Sequence, residues 1–184
     1  MKEFELKVRV KQISMERLLA GYRTLGAAAE ACGLCPNYGT VWSCPPGVPE
    51  AERYLKPFSG CFLIGVQVSY PEQLRKETAS AKEVQAVRDR TYERIKKQLF
   101  LTLLELEKQV PGGVCLGAGR CILCSRCERK EGKPCRFPKL RRYSITAFGL
   151  DFARMAEELL DMKLLWSLEG LPEYDVAVAA LCYQ

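Results

Sequence analysis

Near its start the chain alternates: Phe4, Leu6, Val8 and Val10 are apolar, and their neighbours are polar or charged. A period of two puts one set of side chains on one face of an extended backbone. Residues 3–12 therefore predict a half-buried strand. A short helix is expected over 15–24. The stretch ACGLCPNYGTVWSCPPGVPEAE, residues 31–52, is too rich in Gly and Pro to be regular. Within it, Pro49 with Glu50 and Glu52 has the make-up of a first helical turn, so a short helix is expected to run to Lys56.

CFLIGVQVSY, residues 61–70, is a mostly apolar, β-branched run with the length and composition of a central strand. From Pro71 to Gln109 there is no further Gly or Pro, and Val84, Val87, Tyr92, Ile95, Leu99, Leu103 and Leu106 recur at helical intervals. That predicts one long amphipathic helix laying a stripe on a sheet, stopped by Pro111, Gly112 and Gly113. VCLGAG predicts a short strand. SITAFGLDFARMAEELLDMKLLW predicts a helical stretch interrupted near Gly149, with Asp151 capping its second piece, and YDVAVAALCYQ a closing strand. The expected fold class is α+β: a single domain over 1–184, with a mixed sheet, one long amphipathic helix and two inserted cysteine-rich metal loops.

At 184 residues, 48% apolar and 27% charged, the composition is that of an ordinary globular chain. It has no apolar run long enough to cross a membrane, and its N-terminal stretch MKEFELKVRV lacks the unbroken apolar region of a signal peptide. The cytoplasm is the expected compartment, where thiols stay reduced and clustered cysteines read as metal ligands.

Two counts narrow the chemistry: ten cysteines and no histidine. A Cys-His pair, a Ser-His triad, a His general base, Cys₂His₂ zinc and His-ligated haem are all excluded. Any metal is held by thiolate, with help only from carboxylate or an outside ligand.

Cys121, Cys124, Cys127 and Cys135 follow the spacing C-x₂-C-x₂-C-x₇-C. Three cysteines in tandem can wrap three corners of a four-iron, four-sulfur cluster. Structural zinc is the alternative, although it usually takes two C-x₂-C knuckles set well apart. Cys135 is open to the same cluster or to a second one. Cys32, Cys35 and Cys44 form another group, closed by Pro45 and Pro46. Its fourth ligand is either supplied from elsewhere, by Cys135, Cys115 or Cys61, or is left open for a substrate. Tyr38 and Trp42 are placed to wall that site from water, or simply to anchor the loop. Cys61 and Cys182 sit in apolar strands and read as core thiols, and Cys115 stands nearer the metal loop.

LGAGRC has two glycines of a dinucleotide fingerprint but lacks the third, a weak signal better read as backbone freedom beside a cluster. Arg126, Arg129, Lys130, Lys133, Arg136, Lys139, Arg141 and Arg142 face only Glu128 and Glu131 in the same stretch. Such a run is usually a solvated face. Around four thiols it is also expected to lower their pKa, offset cluster charge and dock an acidic redox partner. The formal charge of +6 falls to about +2 if two sites of about −2 each are filled. No basic run is interleaved with aromatics, so nucleic acid is not the expected partner; nor is a membrane.

Together, CGLCPNYGTVWSCPPG, GAGRCILCSRCERKEGKPCRFP and RRYSITAFGLD resemble the bacterial and archaeal family of predicted metal-binding proteins known as domain of unknown function 2284. The likeness runs from about residue 20 to the end. Cys32, Cys35 and Cys44 match its first motif, Cys121, Cys124, Cys127 and Cys135 its second, and Ser144, Ala147, Gly149 and Asp151 its third. Ile145 stands where the family often has Met, a difference of packing. The resemblance implies metal binding and iron–sulfur chemistry, but no established reaction. The expectation is thus a cytoplasmic protein with one or two 4Fe–4S clusters in an electron-transfer or redox-accessory role, working with a redox protein partner. The alternative is a structural-zinc interaction module. No catalytic residue or small-molecule substrate can be named.

Overall fold

The computed structural model of the protein describes residues 3–165 and 170–184. Its centre is a four-stranded sheet in the order β1-β2-β4-β3, comprising β1 (Glu5–Ser14), β2 (Gly60–Ser69), β3 (Val114–Leu116) and β4 (Tyr174–Tyr183). Every pairing of these strands is antiparallel, with Cys61 opposite Cys182 and Val8 opposite Val66. The α+β class holds, but the sheet is antiparallel rather than mixed. The closing strand runs back between β2 and β3, so neighbouring strands never share a direction.

One face of the sheet carries the larger core. Ile13, Cys61, Leu63, Leu116, Val178, Ala180 and Cys182 pack there against Met15, Leu18, Leu55, Ile145, Phe148, Met155 and Met162. Leu18 belongs to α1 (Met15–Tyr22) and Leu55 to α3 (Ala51–Leu55). Gly65 is required here: a Cβ on it would lie 2.8 Å from Met162 Sδ and 2.9 Å from Leu160 Cδ1. The opposite face takes Phe100, Leu103 and Leu104 against Cys115, Ala179 and Leu181.

The expected long helix is three: α4 (Glu72–Glu77), α5 (Ala81–Arg90) and α6 (Tyr92–Glu107). Freedom from Gly and Pro did not keep it whole. Ser80 caps α5 by accepting from Glu83 N, while the Glu83 carboxylate accepts from Ser80 N, a reciprocal pair that starts a new helix. Thr91 ends α5, its hydroxyl turned back onto the Val87 carbonyl. Arg88 of α5 and Tyr70 hold the buried Asp175 of β4, pinning this layer to the sheet.

β1 is a strand as expected, but it is not half-buried. Leu6, Val8 and Val10 are 49%, 52% and 58% exposed. The helices cover the middle of that face and stop short of the edge strand. Part of the expected irregular loop is also helical, because α2 (Leu25–Leu34) extends past Cys32. Near the end, Ile145–Phe148 makes one tight turn, and Gly149 reverses the chain at φ +75°. Asp151 then caps α7 (Phe152–Arg154) by accepting from Arg154 N at 3.0 Å. A wider turn over Met155–Leu159 follows, and Asp161 sits at φ +53°. The expected helix to Trp166 ends on a residue outside those described. No helix among the described residues is long and apolar enough to span a membrane.

Candidate metal centres

Every cysteine is among the described residues, and all ten are free thiols. Cys32 lies in the last turn of α2, and Cys35 caps it, its N–H bonded to the Cys32 carbonyl at 3.1 Å. Two turns follow, from Tyr38 N to the Cys35 carbonyl and from Cys44 N to the Val41 carbonyl, and they fold Cys44 back beside the other two. Val41, Ser43 and Cys44 are buried, so this loop has an anchor of its own. Asn37 Nδ2 donates to Cys35 Sγ at 3.6 Å, and Cys32 Sγ contacts the Thr146 carbonyl at 4.0 Å.

Cys121, Cys124, Cys127 and Cys135 line one small cavity together with Trp42, Leu123, Phe137 and Arg141. Cys135 therefore stands with the tandem three and not with the first group. The loop that carries them is closed at its neck. Gly117 N donates to the Tyr143 carbonyl at 2.8 Å, and Ile145 N returns to the Gly117 carbonyl at 3.0 Å. Between these points, residues 118–143 contain no fully buried side chain.

The two groups are joined by side chains that sequence reasoning did not single out for this. Ser43 is fully buried. Its hydroxyl accepts from Cys121 N at 2.8 Å and lies 3.7 Å from Cys44 Sγ, while its carbonyl accepts from Ser144 N at 3.0 Å. Arg129 Nη1 donates to the carbonyls of Val41 at 2.9 Å and Cys44 at 2.8 Å, and Nη2 donates to that of Pro46. The guanidinium also rests 4.8 Å from the centre of the Trp42 ring. Trp42 Nε1 donates to the Lys133 carbonyl at 3.0 Å. Trp42 thus walls the second group rather than the first, while Tyr38 stands beside Cys32. Apart from the Ser43–Cys44 contact, these partners lie far apart in sequence, so no local pattern could have revealed them. Replacing Ser43 with Ala removes the acceptor for Cys121 N and is expected to cost about 1–2 kcal/mol. The measurement is the denaturant midpoint, which would not move if the bridge carried no energy.

The third motif has a structural reason at each position. Ser144 is buried at the loop neck, its hydroxyl 2.8 Å from Thr146 Oγ1. Ala147 lines a cleft beside Cys32. Gly149 accepts from Thr24 N at 2.8 Å, and Asp151 N bonds the Tyr22 carbonyl at 2.7 Å.

Electrostatics at Cys121, Cys44 and Cys32 run opposite to the expectation from the basic run. Burial pushes the Cys121 thiol up, the Leu123 backbone N–H pulls it down, and Cys135, Cys124 and Cys127 push it up again. Burial also raises Cys44; the Ser43 hydroxyl and Arg129 oppose this, while Cys35 and Cys32 add to it. Cys32 is raised by burial and by Cys35. Much of the basic run is engaged elsewhere. Arg126 and Lys133 pair with Glu131 at 3.2 Å and 2.7 Å, Arg136 with Glu128, and Arg142 with Glu107. Glu107 also accepts from Cys115 N at 2.7 Å, which ties α6 to β3 and to the loop exit. Metal loading must therefore expel protons from Cys32, Cys44 and Cys121, whose thiols are raised, and it is expected to weaken as pH falls.

The remaining cysteines stand apart. Cys61 and Cys182 lie in the core of the larger sheet face, as expected, and burial with Glu107 nearby pushes Cys115 up to about 12 under α6. Of the three cysteines weighed as a fourth ligand for the first group, Cys61 and Cys115 lie in the sheet cores and Cys135 lines the cavity of the second group.

No curated protein and no solved structure is similar to the chain. Residues 22–175, which include all seven clustered cysteines and the third motif, match the family of predicted metal-binding proteins DUF2284. With that match over most of its length, the chain belongs to this family.

Proposed function

We propose that the two thiol groups hold iron–sulfur clusters and that the protein is a cytoplasmic electron carrier or redox accessory. The observation that carries this reading is the bridge at Ser43, which puts one side chain in contact with Cys44 Sγ and Cys121 N at once. Two redox centres joined through a buried hydrogen-bonded atom suit electron passage.

The donor set agrees. All seven ligands are thiols, the soft donors that select iron–sulfur clusters or zinc. The tandem spacing of Cys121, Cys124 and Cys127 favours a cluster, which takes each thiolate on a different iron, over zinc, which usually takes two C-x₂-C knuckles set well apart. A bound cluster would supply one-electron chemistry. The chain's own part is to exclude water with Trp42, Leu123 and Phe137 and to donate backbone N–H groups. Phe137 and Leu140 are exposed in the stretch that also carries the exposed cations Lys130 and Lys139. An apolar spot with a basic rim suits an acidic redox protein.

The test is iron, acid-labile sulfide and zinc per chain in protein purified without oxygen, with visible spectra before and after dithionite. About eight iron and about eight sulfide, bleaching on reduction, are expected. One or two zinc and no colour would replace this reading with the structural-zinc scaffold.

A further inference from the structure

β1 is an edge strand of ten residues, paired with β2 along one side. Among the described residues, no backbone hydrogen bond is made along its other side. A free edge is usually blunted by shortness, a bulge, a proline, a covering loop or charge. Here the register with β2 runs unbroken from Glu5 to Ser14, and the strand has no proline. Charge is the device that remains.

That charge is almost all of one sign and lies on one face. Lys7, Arg9 and Lys11 follow Glu5 along the face that Ile13 shares. Lys7 meets Asp161 at 3.8 Å, while Arg9 and Lys11 are exposed and have no acidic partner among the described residues. The other face carries Leu6, Val8 and Val10, all exposed, and the exposed Phe62 of β2, opposite Gln12, extends this apolar row. A strand added at this edge sets its alternate side chains beside the two rows in turn. An apolar residue suits one row and a carboxylate the other. A second copy of the chain suits the edge less. In the two antiparallel registers of fullest self-overlap, Arg9 stands opposite Arg9 or opposite Lys11, and like charges directly opposite are destabilising.

We propose that β1 is a docking edge for an extended segment of another protein in which apolar residues alternate with acidic ones. The segment joins the four-stranded sheet as a further strand. Its backbone pairs with the free side of β1, its apolar side chains cover Leu6, Val8 and Val10, and its carboxylates meet Arg9 and Lys11. The surface does not involve the thiols, so the inference stands whatever they hold.

The experiment uses the full chain as purified and a fluorescently labelled peptide as long as β1, of alternating valine and glutamate, kept dilute enough to stay monomeric. Anisotropy reads binding, and amide hydrogen exchange reads where it occurs. Saturable binding is expected, with slowed exchange within β1. Neither should appear with a valine–lysine peptide, or with one whose valines and glutamates stand in two separate blocks. Arg9→Glu combined with Lys11→Glu should weaken binding by about tenfold or more and leave the thermal midpoint unchanged. The same reversal at Lys130 and Lys139, exposed cations of the cysteine loop, should leave binding as it was. Failure of the alternating peptide to bind overturns the proposal. So does equal binding of either control peptide, protection that falls outside β1, or full affinity in the Arg9→Glu, Lys11→Glu variant. A chain that dimerises in sedimentation with its β1 amides already protected would give the edge to a second copy and overturn the proposal as well.

Discussion

Stripping the metal from this protein is expected to release residues 118–143 while leaving the sheet folded. The segment has no fully buried side chain, and its regular structure is a single short turn over Glu128–Glu131. Ordering a residue costs about 1–2 kcal/mol of backbone entropy, and the partial burial of Ala118, Ile122, Leu123 and Tyr143 against the cores offsets only part of that cost over the segment. The other contacts are the neck at Gly117 and Ser144, the grip of Arg129, and the bonds from Cys121 to Ser43 and from Trp42 to Lys133; the proposed ligation of four thiols adds to these. Structural metal at a four-thiolate site contributes on the order of 10 kcal/mol, enough to decide the matter. The sheet is expected to stay folded because the fully buried side chains of its cores lie outside this loop, which adds only partly buried ones. Limited proteolysis with and without metal checks it. Cleavage confined to 118–143 in the metal-free protein is expected. Equal resistance in both forms would mean that protein contacts alone hold the loop, and wholesale degradation would mean that the sheet also needs the metal.

The second large effect is expected from Arg129→Ala. One guanidinium satisfies three carbonyls of the first loop and stacks on Trp42. Charged hydrogen bonds contribute about 1.5–3 kcal/mol each when removed, but they are partly replaced by water at this half-buried position. A loss of about 3 kcal/mol is expected, or roughly 6–12 °C in the unfolding midpoint for a chain of this size. Arg129→Lys should recover only a fraction, since an ammonium is a single point and cannot match a planar fork over three acceptors. Arg126→Ala serves as the comparison, because its pair with Glu131 is exposed and worth less than about 1 kcal/mol. Equal effects from Arg129→Ala and Arg126→Ala would refute the assigned role.

The elements legible in the sequence were those that local pattern determines. The strands at 61–70 and 174–183 were readable because buried β-branched runs bounded by turn residues have few other uses. The Asp151 cap was readable because capping is a contact across three residues. The break of the long helix at Ser80 and Glu83 also had a local signature, and the continuous apolar stripe masked it. The exposure of Leu6, Val8 and Val10 had none. Alternation reports which residues share a face, and it is silent on whether a second layer reaches far enough to cover them.

For the candidate site, the sequence by itself determined the donors: seven clustered thiols, no histidine, and two spacings that place the thiols in two groups. Ligand identity is a matter of side-chain chemistry, and chemistry is written residue by residue. Tertiary structure alone decided which thiols share a cavity, that Cys135 stands with Cys121, Cys124 and Cys127, and that Cys61 and Cys115 lie in the sheet cores. It also decided that Arg129, one cation in a run of eight, turns inward while several others pair with acids at the surface. The contacts from Ser43 to Cys121 and from Arg129 to Val41 join residues roughly eighty positions apart. Such contacts follow from how the sheet brings its two loops to the same end. No window of sequence encodes that placement, because it depends on the packing of every element between them.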